Sequence, residues 1–254
     1  MDMNIIQFII VCPAVFLASF VDAIAGGGGL ISLPAYLIAG VPVHFAIATN
    51  KLSSATGTAF STARYIKNGY ADMKVAAPSV LTALIGSVIG ANIALHTSER
   101  VLQILLMILL PVIAFYVMTR KNLEPEHPFS LKKSIEYTIV IISSFFIGIY
   151  DGFYGPGTGT FLLLAFTGLA KMDVRTASGN LKIVNLSSNI AALVTFIVAG
   201  KVFWPLGLTA SVFSIAGHYI GAGFVMKDGT RIVRPIILVV LCLLFVKIIS
   251  GFVN

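Results

Sequence analysis

Long apolar stretches recur from one end of this chain to the other, and they restrict the possible folds more than any other feature. Two examples are VLQILLMILLPVIAFYVM at 101–118 and IILVVLCLLFVKII at 236–249. Such stretches approach the ~20 residues that a helix needs to cross ~30 Å of hydrocarbon. Backbone amides in lipid must be bonded internally, which only helices achieve within one segment. The low share of charged residues, 11%, agrees. The sequence predicts an all-α polytopic membrane protein.

The charged residues do not require a nucleic-acid or metal partner. The net charge is +7, and the basic residues cluster beside the apolar stretches, as the positive-inside rule predicts. The acidic and histidine residues Glu124, Glu126 and His127 are interpreted as a solvated loop. Cys12 and Cys242 each lie in an apolar stretch and are expected to be buried rather than disulfide-bonded. We therefore expect no nucleic acid, metal or other cofactor.

The two halves of the chain repeat each other. GSVIGA at 86–91 matches GHYIGA at 217–222, an offset of 131 residues, and FVDAIAGGGG at 20–29 matches IYDGFYGPGT at 149–158, an offset of 129. A constant offset over several landmarks is typical of an internal duplication. We predict a first repeat at 1–127 and a second at 128–254, joined by a cytoplasmic linker at about 119–133.

Each repeat is expected to contain about four to five helical segments, of which the second is short. At 1.5 Å per residue, the dozen residues of a short segment reach about 18 Å, so a broken or re-entrant helix is predicted. Four basic loops can all face the cytoplasm only if each half crosses the membrane an odd number of times. The repeats are then inverted, with their Asp-Gly loops on opposite faces. The segments are about 4–25, 29–40, 45–63, 75–95, 101–118, 134–151, 159–170, 174–199, 203–225 and 232–252.

Glycine-rich stretches precede both short segments, GGGG at 26–29 and GPGTG at 155–159. Glycine permits positive φ and close backbone approach. The free amides at the start of the following helix favour an anion. A tight turn between packed helices is the alternative, although recurrence in both halves favours a site.

Lys51 and Lys182 occupy matching positions among small, hydroxyl and amide residues. A lysine in hydrocarbon costs about 2.5–3.5 kcal/mol and should face inward toward a partner. Snorkelling to the interface is the alternative. No catalytic residue is expected, because neither H-E-x-x-H nor G-x-S-x-G occurs. The predicted substrate-binding residues are Lys51, Lys182, Asn50, Asn180, Gly27, Gly28, Gly157, Thr158, Ser53 and Asn185.

Three interpretations remain for Asp22 and Asp151: proton coupling, an ion pair with the lysine of the same repeat, or helix capping near water. His44 and His218 are interpreted as structural. The G-x-x-x-G pairs at 86/90 and 217/221 are expected to pack helices inside the molecule, with a dimer interface as the alternative.

The glycine stretch FVDAIAGGGGLISLPAYL, the ATNKL motif and the echo YDGFYGPGTGTFLL resemble the sulfite exporter TauE/SafE family of bacterial membrane permeases. In particular they resemble its broad branch of probable membrane transporters. The resemblance covers nearly the whole chain. It implies transport of sulfur-containing anions, such as sulfite, sulfonates or sulfoacetate, across the plasma membrane.

We therefore expect a multi-pass protein of the bacterial inner membrane, not an enzyme, that moves a small anion by alternating access. The alternative is a permease for a cation or another small solute. A homodimer is left open.

Overall fold

The computed structural model describes residues 4–102, 104–105, 108 and 131–228, apart from the side chains of residue 25 and residues 225–228. All regular elements in these ranges are helices. The predicted segments at 101–118 and 232–252 and the linker at 119–133 lie wholly or mostly outside the described residues. The helices are α1 Ile5–Ala25, α2 Gly29–Ile38, α3 Val43–Lys67, α4 Met73–His96, α5 Lys133–Phe153, α6 Thr158–Leu164, α7 Val174–Val198 and α8 Trp204–Asp228.

These helices confirm the predicted all-α class. Four of them, α1, α4, α5 and α7, are long and apolar enough to cross a membrane. The short apolar helices α2 and α6 follow α1 and α5, and a π-helical turn, Ala165–Leu169, extends α6. Large apolar side chains such as Leu81, Phe146 and Val212 are more than 60% exposed, as expected for a surface that faces lipid.

Two parallel helix pairs, α4 with α5 and α1 with α8, pack through glycines. Gly86 and Gly90 lie against the backbone of α5, and Gly217 and Gly221 lie against the backbone of α1. A Cβ atom at any of these four positions would collide with backbone atoms. The G-x-x-x-G pairs therefore pack helices inside the molecule, as predicted.

Helices α3 and α7 occupy matching positions in the two halves and run antiparallel to each other. Thr62, late in α3, donates its hydroxyl to the Lys182 carbonyl, early in α7, at 3.1 Å. Lys51, early in α3, donates from Nζ to Asn189 Oδ1, late in α7, at 3.0 Å. Most of both helices is buried, so their polar side chains meet in the interior.

The start of each of these helices holds a loop of the other half by the same kind of bond. Asn180 Oδ1 in α7 accepts the Asp72 amide at 2.9 Å, and Thr49 Oγ1 in α3 accepts the Phe203 amide at 3.0 Å. Both partners obey the offset of 131 residues. The duplication seen in the sequence thus recurs in the hydrogen bonds.

The two glycine loops meet each other. Gly26 and Gly157 have φ angles of 73° and 86°, and a Cβ atom at Gly26 would lie only 2.7 Å from the Gly159 Cα. The expectation that these loops lie on opposite faces is therefore wrong. Because glycine has no side chain, the two backbones pack directly together in the interior between the repeats.

Candidate functional site

Lys51 forms a fully buried ion pair with Asp151. Its Nζ lies 2.8 Å from Asp151 Oδ1, and each side chain is 2% exposed. Asp151 also accepts bonds from the Thr158 hydroxyl at 2.8 Å and from the Ser188 hydroxyl at 2.6 Å. Asn189 completes the lysine's environment. The carboxylate is thus surrounded by one cation and neutral donors.

Lys182 forms the matching pair with Asp22. Its Nζ lies 3.0 Å from Asp22 Oδ2 and also donates to the Asp22 backbone carbonyl. The Gly28 amide donates to Asp22 Oδ1 at 3.1 Å. This pair therefore joins the end of α1, the glycine loop and α7. The amide predicted to bind a guest anion instead binds the protein's own carboxylate.

Both pairs connect one repeat to the other. The sequence interpretation of an ion pair within the same repeat is wrong, because Lys51 bonds Asp151 and Lys182 bonds Asp22. The physical reason is the contact between the glycine loops, which brings each broken helix beside the lysine helix of the opposite half. The snorkelling alternative is also excluded, since both ammonium groups are buried.

A small cavity of about 30 Å³ lies between the two pairs. A single water needs about 10–15 Å³ by this measure, so the cavity accommodates about two waters. Of the predicted residues, most line it, together with both aspartates. The lining members of the prediction are Asn50, Lys51, Ser53, Gly27, Gly28, Gly157, Thr158, Asn185, Asp22 and Asp151.

Three buried polar atoms of the cavity wall have no hydrogen-bond partner among the described residues. They are Asn50 Oδ1, Thr58 Oγ1 and His218 Nδ1, and each residue is at most 9% exposed. Buried polar atoms are normally satisfied by protein, water or ligand. The wall therefore has free polar capacity beside the two ion pairs.

Two predicted residues do not line the cavity. Asn180 caps the α3–α4 loop through Asp72, the role that Thr49 has in the other half. Lys182 contacts the cavity only through Asp22. The two lysines, equivalent in sequence, thus have different surroundings.

Asn189 and Thr58 line the cavity but were not among the predicted residues. A signal for them was available. Asn189 lies four residues after Asn185, and Thr58 lies seven after Lys51, so each falls on the helix face of a residue already selected.

The two histidines expected to be structural differ in position. His44 bonds the Ala94 and Thr97 carbonyls at the end of α4, each at 3.1 Å, which is a structural role. His218 instead lines the cavity, with Nε2 3.8 Å from Asp22 Oδ2. Its interpretation as a purely structural residue is corrected. Among the described residues, no cluster of three His, Cys, Asp or Glu side chains could bind a metal.

Comparison with known proteins identifies the family. The model of the family described as sulfite exporter TauE/SafE matches residues 11–248. A Sinorhizobium relative named probable membrane transporter protein ORF9 is 35% identical over 237 residues, 93% of this chain and 90% of the relative.

Two further relatives support the assignment. A probable membrane transporter protein of Haemophilus influenzae is 30% identical, covering 98% of this chain and 97% of its own. The Escherichia coli probable membrane transporter protein YfcA is 32% identical, covering 92% and 86%. No solved structure matches the chain. The chain therefore belongs to the sulfite exporter TauE/SafE family and is a multi-pass membrane transporter.

Proposed function

We propose that this protein is a secondary transporter that moves a small anion, of the sulfite or organosulfonate class, across the bacterial plasma membrane by alternating access. The observation that carries this assignment is a buried lysine, Lys51, in the wall of a cavity between the repeats. Neutral amide and hydroxyl donors surround the same cavity. The family description and the bacterial relatives support the substrate class and the location.

The guest anion competes with Asp151 for Lys51. Asp151 already receives the cation and two hydroxyl bonds, so its carboxylate occupies the position that an oxyanion would prefer. A charge pair at 4 Å contributes roughly 4 kcal/mol at an effective dielectric of 20. A sulfite-sized anion also needs more space than about two waters. Binding therefore requires the Lys51–Asp151 pair to open.

Lys182 has the complementary role of holding the glycine loop. Its ammonium bonds both the backbone and the side chain of Asp22, where α1 ends. In the proposed cycle this pair links the position of α7 to the position of the glycine loop.

Inverted repeats supply the two access states. The antiparallel course of α3 and α7, which are equivalent in sequence, supports two inverted units at about 1–127 and 128–254. Inverted repeats with broken helices typically place a substrate site at their interface. Because both ion pairs cross that interface, a rearrangement of one repeat against the other alters both.

A cation permease is the second candidate, since two carboxylates line the cavity. Each carboxylate is already neutralised by a lysine, which opposes cation binding. Cation flux without any anion flux would support this alternative.

The decisive experiment measures sulfite flux into liposomes that contain purified protein. The double variant Lys51→Met/Asp151→Asn removes the cation without leaving an unpaired buried charge. We expect its flux to fall to that of empty liposomes. The matched control Lys67→Met removes a lysine from the exposed end of the same helix and should retain flux. Undiminished sulfite flux by the double variant would reject the assignment.

A further inference from the structure

His218 contacts one ion pair and has no counterpart at the other. It lies on α8, is 1% exposed and lines the cavity. Its Nε2 is 3.8 Å from Asp22 Oδ2, and its Nδ1 has no hydrogen-bond partner in the part of the chain that the structure describes. The imidazole is therefore buried beside a carboxylate with one ring nitrogen unused.

The duplication shows what replaces this histidine in the other half. At the offset of 131 residues, His218 corresponds to Ser87 and Gly57 corresponds to Ser188. Ser87 donates to the Ser188 carbonyl, and the Ser188 hydroxyl donates to Asp151, both at 2.6 Å. Asp151 thus faces two serines where Asp22 faces a histidine and a glycine.

The histidine and the glycine compensate each other in size. A Cβ atom at Gly57 would collide with the His218 ring and with the Ser214 hydroxyl. The missing side chain at Gly57 therefore provides the space that the imidazole fills. The two half-sites are matched in volume and differ in chemistry, because one has a hydroxyl and the other a titratable ring.

The charges that face His218 come from three helices. Asp22 approaches it from α1, and Lys182 approaches it from α7 by way of Asp22. Helix α3 carries Lys51, which is held by Asp151, and Arg64, which donates to the Tyr219 carbonyl at 2.7 Å. Around the cavity, the two lysines and two aspartates sum to zero charge when His218 is neutral.

We propose, on the basis of the transport function above, that His218 is the proton-binding residue of the cycle and couples one proton to each monovalent anion. A proton from water entering the cavity binds the imidazole and gives the site a charge of +1. The imidazolium also offers Asp22 a second cation, which weakens its hold on Lys182. An anion of charge −1 restores neutrality, so the proton and the anion enter and leave together. Histidine suits this role because its charge changes in the range of about pH 5 to 8.

The test compares sulfite flux and accompanying proton movement in liposomes loaded with a pH-sensitive dye. The key variant is His218→Ser/Gly57→Ser, which copies the Ser87–Ser188 arrangement of the other half. His218→Gln is a second variant that preserves the volume of the ring. Wild-type protein should acidify the lumen as sulfite enters, and its flux should rise about tenfold or more between about pH 8 and pH 6. Both variants should lose proton movement and vary less than about threefold over this range.

The control is His96→Gln, because His96 is exposed and bonds only the Asn92 carbonyl of its own helix among the described residues. It should keep both signals. Proton-coupled, pH-dependent flux that persists in both His218 variants would overturn the assignment of this residue. Absence of sulfite flux in the wild type would instead reject the proposed function, so the two failures are distinguishable.

Discussion

At the scale of single residues, the site consists of two buried charge pairs whose members come from different repeats. Removing one partner of a buried pair leaves an uncompensated charge, which costs about 3–5 kcal/mol. Replacing both partners with neutral side chains of similar shape avoids this cost. Stability and transport can therefore be separated by choosing single or double variants.

Lys51→Met should destabilise the protein by about 3–5 kcal/mol, because Asp151 remains buried without its cation. Lys51→Met/Asp151→Asn should recover most of this loss. The measurement is the midpoint of thermal unfolding in detergent. A single variant as stable as the double variant would contradict the structural account of the pair.

The sequence identified most residues of the cavity but not their partners. Lys51 and Asp151 could be selected individually, because charges are costly in an apolar chain. Their pairing depends on the contact between the glycine loops, and no local pattern encodes that contact. The same packing explains why Asn180 bonds Asp72 outside the cavity rather than binding within it.

At the scale of elements, the broken helices depend on glycines that no other residue could replace. Gly26 ends α1 with a φ of 73° and lies against the backbone of Gly159. By contrast, Gly168 has nothing within 4 Å of the position of an added Cβ atom. These glycines offer a comparison between a constrained and an unconstrained position.

Gly26→Ala should destabilise the protein severely, because about 1–3 kcal/mol of backbone strain adds to a collision with the opposite loop. Gly168→Ala should change stability by less than about 1 kcal/mol. The readouts are the yield of monodisperse protein by size-exclusion chromatography and the unfolding midpoint. Equal behaviour of the two variants would show that the loops do not touch.

Helix positions were the most predictable feature of the fold. The length of each apolar stretch set the segments, and polar caps set some boundaries, as where Asp173 accepts the Thr176 amide at 3.0 Å to begin α7. The short segments were recognisable because they cannot span hydrocarbon. The meeting of the two loops was not recognisable, since it depends on tertiary packing.

At the scale of the whole molecule, equivalent loops of inverted repeats lie on opposite sides of the membrane. Asn68 and Ala199 are exposed, occupy equivalent ends of α3 and α7, and differ by the offset of 131 residues. The duplication was evident from the sequence, whereas the direction of each repeat could be inferred only through the distribution of basic residues.

Single cysteines introduced by Asn68→Cys and Ala199→Cys, with Cys12 and Cys242 replaced, should react from opposite sides. An impermeant maleimide applied to intact cells should label the second variant, and the first only after permeabilisation. Labelling of both from one side would contradict inverted repeats.

The most direct measurement of the central claim is the affinity for sulfite, determined by calorimetry in detergent, of the wild type and Asp151→Asn. Removing the competing carboxylate charge while keeping an oxygen near Lys51 should tighten binding at least about tenfold, or about 1.4 kcal/mol. Asp173→Asn, which alters a helix cap outside the cavity, should leave affinity unchanged. Unchanged or weaker binding by Asp151→Asn would show that the anion does not bind at Lys51.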